Sequence, residues 1–193
     1  VAFELIVVGA SLGGLHALEA LFTGLPGTFV VPLAVVQHRH RDSDDTLRTV
    51  LQRSSALPIC EVEDKQMIVS GTIYLAPADY HLLVEYGSFA LSTEAPVLHA
   101  RPSIDVLFES AADAYGSRLI GIILTGASAD GAEGLAAIKT RGGCTVVQDP
   151  ATAECSVMPE AALTHTTVDY IVPLGAIPPL LTQLCPIIPK VGL

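Results

Sequence analysis

The chain is 193 residues long, which fits a single domain large enough to bury its own hydrophobic core. Half of its residues are hydrophobic and only 16% are charged, against roughly 25% in an average soluble protein, which excludes disorder and calls for a sheet covered on both faces. Ten basic against 20 acidic residues give a net charge of −10, a field that repels phosphate backbones and argues against nucleic-acid binding.

Residues 5–8 form an apolar run ended by Gly9, too short for a helix and suited to a buried strand. Beyond Gly13-Gly14, the residues Leu15, Leu18, Leu21 and Phe22 make a helical stripe. Residues 33–36 read as a second strand, and Ser43 or Asp44 as the cap of a helix carrying Leu47, Val50 and Leu51. A third strand is expected at 58–62. The pieces 72–75, 81–84 and 89–91 are separated by Pro77, Asp79 and Gly87, which predicts hairpins rather than β-α-β units. Helical periodicity returns over 103–114, followed by a buried strand at 119–124. Asp130-Gly131-Ala132-Glu133 has the D-x-x-E form of a capping box, opening a helix that runs through Lys139 and stops at Gly142. A strand at 146–147, a helix around 160–163, a strand at 170–172 and a helix near 177–184 complete the series. The fold class is α/β: a doubly wound, mostly parallel sheet with helices on both faces and an antiparallel hairpin insertion, in one domain spanning 1–193. Ligands of such folds collect beyond the C-terminal ends of the strands.

Mean hydropathy is high at +0.52, yet no run of about 18 apolar residues is available to span a bilayer. Cys60, Cys144, Cys155 and Cys185 form no C-x-x-C pair and do not cluster with histidine. They read as reduced thiols of a cytoplasmic protein rather than a disulfide or zinc framework. The start Val1-Ala2-Phe3-Glu4 lacks the basic region of a signal peptide, and without an initiator Met it suggests processing or excision from a longer chain.

Gly9-Ala10-Ser11-Leu12-Gly13 follows the first strand. A dinucleotide fingerprint needs glycine where Ser11 stands and an acid ending the second strand, where Gln37-His38 is found, so NAD and FAD are disfavoured. The five residues fit a G-x-S-x-G nucleophile elbow, although Ser11 could equally cap the following helix. A hydroxyl nucleophile needs a base, and the second strand ends in Gln37-His38-Arg39-His40-Arg41, where spacing alone does not choose between His38 and His40. Asp130, Asp149 and Asp105 are the candidates to orient an imidazole. His16, His81, His99 and His165 show no ligand spacing, so neither a metal nor another cofactor is expected.

Taken together, seven motifs in order resemble the chemotaxis receptor methylesterases, the CheB-type protein-glutamate methylesterases. They are Gly9-Ala10-Ser11-Leu12-Gly13-Gly14, Val35-Val36-Gln37-His38, the stretch 71–77, the stretch 101–108, the stretch 124–131 containing Thr125-Gly126 and Asp130-Gly131, Val147-Gln148-Asp149, and Met158-Pro159. The resemblance implies a serine hydrolase that removes methyl groups from methylated glutamates of chemoreceptors, releasing methanol, and that also deamidates certain glutamines. It maps the nucleophile onto Ser11, the general base onto His38 and the orienting acid onto Asp130. Leu12 and Gly13 are then expected at the oxyanion, and Arg39 and His40 on the side of acidic receptor helices. Two positions depart from the family pattern: Leu12 stands where Thr is common, and Ala127-Ser128 where Met-Gly is common, both beside the expected cleft and so bearing on substrate preference. The length leaves no room for the receiver domain typical of the family, so the expectation is either that the receiver lies outside this sequence or that this is a single-domain branch regulated differently. The competing readings are a catalytically silent signalling module and a small-molecule carboxyl esterase.

Overall fold

Every residue of β1 (Leu5–Ala10) is buried, because this strand lies at the centre of the sheet with both faces covered. The computed structural model describes residues 2–42 and 46–186. After β1 come α1 (Gly14–Thr23), β2 (Leu33–Gln37), α2 (Thr46–Arg53), β3 (Ile59–Glu61) and β4 (Ile73–Leu75). The hairpin β5 (His81–Glu85) and β6 (Ser88–Ser92) follows, then α3 (Ile104–Tyr115) and β7 (Leu119–Ile123). The chain closes with α4 (Ala132–Thr140), β8 (Cys144–Gln148), α5 (Val157–His165), β9 (Tyr170–Val172) and α6 (Ile177–Leu184). The expected cap at Ser43 or Asp44 lies outside the described residues.

Among the described residues, seven strands form one sheet in the order β3-β4-β2-β1-β7-β8-β9, every pairing parallel. Alternate side chains feed two cores, as the period of a strand requires. Ile6, Val8, Leu33 and Val35 pack with Leu18, Leu21 and Phe22 of α1 and with Leu181 of α6. Leu5, Val7, Ala34 and Val36 pack with α3, α4, α5 and the hairpin through Leu107, Phe108, Leu135, Ala162 and Phe89. The doubly wound sheet with its antiparallel β5–β6 insertion is therefore present. One piece read as part of a hairpin is not: β4 pairs in parallel with both β2 and β3. Its three residues are all buried, as expected of a strand covered on both faces, and the turn residues Pro77 and Asp79 lie after it rather than within its pairing.

The chain winds outward from β1 in both directions, through β2 on one side and β7 on the other. This reversal of strand order opens a crevice at the C-terminal ends of β2, β1 and β7, the place where open α/β sheets bind ligands.

The predicted capping box at Asp130-Glu133 is not formed. Gly131 is the N-cap of α4, without a side-chain bond, and Glu133 reaches out to His165 at 3.1 Å. Asp130 instead caps the neighbouring helix, taking the Ile104 N–H at 2.7 Å and the Asp105 N–H at 3.0 Å in the first turn of α3. Asp105 returns the arrangement, its Oδ1 accepting the N–H groups of Gly131 at 2.9 Å and Gly134 at 2.7 Å. The two helix N-termini abut, so each carboxylate meets the orphan amides and positive dipole end of the other helix. Local spacing could not reveal an exchange between segments 25 residues apart.

This exchange places two buried carboxylates close together. Burial pushes the Asp105 carboxyl up to about 6, with the Asp130 charge adding to the effect against the two amide bonds. A raised folded-state value means that the contribution to stability is complete below the unfolded value near 4 and is lost as pH rises through 6. Asp105→Asn keeps an acceptor for both amides and removes the charge. Relative to the parent, it should gain on the order of 1–3 kcal/mol between pH 4 and pH 8. Urea midpoints across that range test this, and parallel curves for the two proteins would overturn it.

Candidate active site

Ser11 is the first residue beyond β1, and its backbone is fixed on three sides. Its N–H donates to the Thr125 carbonyl at 3.0 Å, while its carbonyl accepts the Gly14 N–H and the Gln37 Nε2–H, both at 2.9 Å. Gly14 is needed for this turn, since a Cβ there would lie 1.9 Å from Gln37 Oε1. On the opposite side, a Cβ on Gly126 would come within 2.9 Å of Ser11 Cβ. The Ser11 hydroxyl, by contrast, makes no hydrogen bond among the described residues, and the N-cap of α1 is Gly13 with no side-chain bond. The reading of Ser11 as a helix cap is thereby set aside. The Leu12 and Gly13 N–H groups also meet no acceptor among the described residues, while Thr125 Oγ1 holds the Leu12 carbonyl at 2.9 Å. Two free amides at a helix N-terminus, next to an unengaged hydroxyl, are suited to receiving an oxyanion.

His38 stands at the equivalent place on the next strand. Ala10 and Gln37 are register partners, and the His38 N–H continues the ladder to the Ala10 carbonyl at 2.9 Å, so Ser11 and His38 emerge side by side. His38 Nε2 lies 2.7 Å from Asp130 Oδ2. His40 is exposed and interacts with Asp42 at 3.2 Å, so of these two histidines it is His38 that meets Asp130. Among the aspartates, Asp105 caps α4 and Asp149 accepts the Ala151 N–H in its own turn, so only Asp130 of the three reaches a histidine.

Asp130 is fully buried and accepts from four donors: His38 Nε2 and the Ile104 N–H on Oδ2, the Ser103 hydroxyl at 2.8 Å and the Asp105 N–H on Oδ1. Burial raises its carboxyl, but the His38 bond and the three other donors together bring it below the usual carboxylate range. An ionised acceptor fixes the tautomer of its partner. Nε2 carries the proton and Nδ1 is left as the bare, basic nitrogen.

Behind this pair lies a support that spacing did not expose. The Ser103 N–H donates to Nδ1 of buried His81, whose Nε2 meets the Ala95 carbonyl at 3.1 Å. Gln148 Oε1 accepts the Thr125 N–H at 3.0 Å and so steadies the loop that carries Asp130. Gln37, Ser103 and Gln148 all stand inside the motifs singled out in the sequence, which was the only signal of their roles.

Among the clefts that His38 borders, two bear on the site. One, of about 570 Å³, is lined by Ser11, Leu12, Gly13 and Gln37. The other, of about 610 Å³, is lined by Arg39, His40, Arg41, His99, Arg101 and Ser128 among others. The Arg39 guanidinium is bound to Glu61 at 2.6 Å and to the Ala76 carbonyl at 2.8 Å, its side chain only 7% exposed, so the accessible charge of this segment is Arg41. Ser128 accepts the Asp130 N–H at 3.0 Å, and Ala127 is exposed beside it. Among the described residues no group of three His, Cys, Asp or Glu side chains could hold a metal ion, and no helix is long and apolar enough to cross a membrane.

Residues 6–181 match the family model described as CheB methylesterase. A relative from Leptospira interrogans, provisionally named a protein-glutamate methylesterase/protein-glutamine glutaminase, is 45% identical over 183 residues, covering 94% of this chain and 95% of its own. An Anaeromyxobacter dehalogenans protein-glutamate methylesterase/protein-glutamine glutaminase 2 is 42% identical over 94% of this chain, which spans only 53% of that longer relative. The crystal structure of the Thermotoga maritima CheB methylesterase catalytic domain superposes with a TM-score of 0.90 at 32% identity, covering 95% of this chain and all of that one. With the fold, the strand-end placement of the motifs and these likenesses in agreement, the chain belongs to the CheB methylesterase family.

Proposed function

We propose that this protein-glutamate methylesterase hydrolyses γ-methyl esters of glutamate on the cytoplasmic helices of methyl-accepting chemoreceptors, with Ser11 as nucleophile, His38 as general base and Asp130 as the acid that orients it. The observation that carries this reading is the 2.7 Å contact of His38 Nε2 with a buried, multiply bonded Asp130, made at the strand end next to Ser11. On this reading the reaction uses no cofactor and takes place in the cytoplasm.

Ser11 Oγ attacks the γ-carbonyl carbon while His38 Nδ1 takes the hydroxyl proton, and the new negative charge on the carbonyl oxygen falls to the Leu12 and Gly13 amides. Asp130 stabilises the imidazolium without accepting its proton, consistent with a carboxyl held below its usual range. The tetrahedral intermediate collapses as His38 returns the proton to the methoxy oxygen, and methanol departs. Water then gives a proton to Nδ1 and attacks the glutamyl-serine ester; the second intermediate collapses as His38 returns that proton to Ser11 Oγ, which releases the glutamate side chain and restores both residues. An amide in place of the ester would lose ammonia by the same steps, which is the glutaminase reaction named for the relatives. Arg41 and His40 on the rim of the larger cleft suit the approach of acidic receptor helices.

Because the Ser11 hydroxyl engages no partner, Ser11→Ala should abolish methanol release from a methyl-labelled receptor cytoplasmic fragment while changing unfolding free energy by less than about 0.5 kcal/mol. Release that survives the substitution would move the chemistry away from Ser11. If the parent releases no methanol from the fragment, its turnover of a short methyl ester separates a small-molecule esterase from a silent module.

Asp130→Asn has a different signature. Each carboxylate oxygen already faces two donors, so either orientation of the amide sets its NH₂ against a pair of them. The expected result is a loss of about 1–3 kcal/mol of stability and a fall in kcat of about 10³–10⁴ in the folded variant. Denaturation and single-turnover methanol release measure the two losses, and near-parent kcat would remove Asp130 from the mechanism.

A further inference from the structure

The wall of the larger cleft contains a feature that the ester chemistry does not use. Val97 and Ala100 exchange both backbone hydrogen bonds, at 3.0 and 2.8 Å, and the two residues between them have positive φ, 45° at Leu98 and 66° at His99. Two successive positive φ values in a two-residue connection define a tight turn of the I′ kind, which favours Asn-Gly. Leucine and histidine bear a steric penalty in that region that glycine escapes. No burial offsets it, since Leu98 is 56% exposed.

The base of the loop is nevertheless held firmly. The Arg101 guanidinium donates to the carbonyls of Thr93 and Glu94 at 2.8 and 2.9 Å and to Asp79 Oδ1 at 2.6 Å, and His81 grips the Ala95 carbonyl. His81 also accepts the N–H of Ser103, whose hydroxyl binds Asp130. The turn is thus anchored to the same framework that positions His38, and it lines one cleft with His38, His40 and Arg41. An apolar side chain kept exposed, in a backbone conformation that disfavours it, on a rigid mount facing the base, is placed to meet something outside the chain.

We propose that Leu98, with His99, determines specificity by contacting the polypeptide that flanks the scissile ester. The substrate class it selects is an acidic, amphipathic segment. Leu98 packs against an apolar side chain of that segment, while Arg41, His40 and His99 face its carboxylates. The charge argument is local: the cleft is lined by three arginines and three histidines with one carboxylate, Asp79, while Glu61 and Asp42 pair with Arg39, Arg41 and His40 from outside the lining, in a chain whose net charge is −10. Arg39 and Arg101 are already paired with Glu61 and Asp79, whereas among the described residues Arg41 and His40 meet only the exposed Asp42, Arg41 at 3.9 Å and His40 at 3.2 Å, which leaves the Arg41 side as the accessible one. The inference rests on the ester hydrolysis proposed above.

The test compares the parent with Leu98→Asn and Leu98→Ala. Asn relieves the turn and Ala retains its strain, and both remove the apolar contact. Leu98→Asn should raise Tm by about 2–4 °C and yet raise KM for a methylated receptor cytoplasmic fragment about tenfold. The ratio of kcat/KM for the fragment to kcat/KM for a short glutamyl methyl ester should fall by the same factor in both variants. An unchanged ratio in both would overturn the proposal, and so would a lower Tm in Leu98→Asn with equal losses on both substrates, which marks a structural role. Binding of the same fragment, measured in a Ser11→Ala background, keeps the outcome separate from the chemistry. Weaker binding by the Leu98 variants supports the contact even if Ser11 is not the nucleophile, whereas equal binding, or none by the parent, refutes it.

Discussion

The carboxylate of Asp130 is the point at which the parts of this molecule meet. It accepts from the first turn of α3, from the Ser103 hydroxyl and from the His38 ring, while its own backbone sits between β7 and α4. A buried charge with fewer partners would be costly in the low dielectric of the crevice. Four donors make the ionised form the favoured one, and that form defines which nitrogen of His38 is left basic. Packing of α3 against α4 and the polarity of the imidazole are therefore consequences of the same set of bonds. Asp105, caught in the exchange of caps and facing the Asp130 charge, is the member pushed the other way, up to about 6.

Around this centre the loops are held by amide side chains. Gln37 at the end of β2 bonds the carbonyls of Ser11 and His38, and Gln148 at the end of β8 spans the Thr125 N–H and the Thr152 carbonyl. Neutral amides add no charge beside Ser11: Gln148 uses both its acceptor and its donor, whereas Gln37 uses its donor twice and leaves Oε1 without a partner among the described residues. The atoms available for chemistry are the ones this lattice leaves out: the Ser11 hydroxyl, His38 Nδ1 and the amides of Leu12 and Gly13. Rigid support with unengaged reactive atoms is the arrangement expected of a preorganised site.

The wall of the larger cleft is built differently. The larger cleft gathers basic residues in an acidic chain and carries a strained, exposed turn at Leu98 and His99. Its mounting through Arg101 and His81 connects it to Ser103 and hence to Asp130, so this wall and the His38–Asp130 pair share one framework. Under the proposed function, this division assigns substrate preference to residues such as Leu12, Ala127, Ser128 and Leu98.

Much of the architecture was legible in the residues themselves. Continuous apolar runs at β1, β2 and β7 marked strands buried on both faces, and the helical stripe after Gly13-Gly14 marked α1. The seven motifs, read in order, marked the family and pointed to Ser11, His38 and Asp130. Bare spacing, however, could not separate His38 from His40, nor Asp130 from Asp105 and Asp149, because the partners lie up to 92 residues apart and meet only when β2, β1 and β7 lie side by side. The same limit explains the capping box assigned to Asp130 and Glu133. A carboxylate three residues before a glutamate in the first turn satisfies the local rule equally well whether it caps that helix or another, and only the abutment of α3 and α4 turned it away. β4 was misassigned for a related reason, since three apolar residues carry no signal of whether their neighbours run parallel or antiparallel. Sequence alone determined which residue types stand at the strand ends. Tertiary structure decided which of them touch, because hydrogen bonds across a parallel sheet depend on strand order and register rather than on separation along the chain.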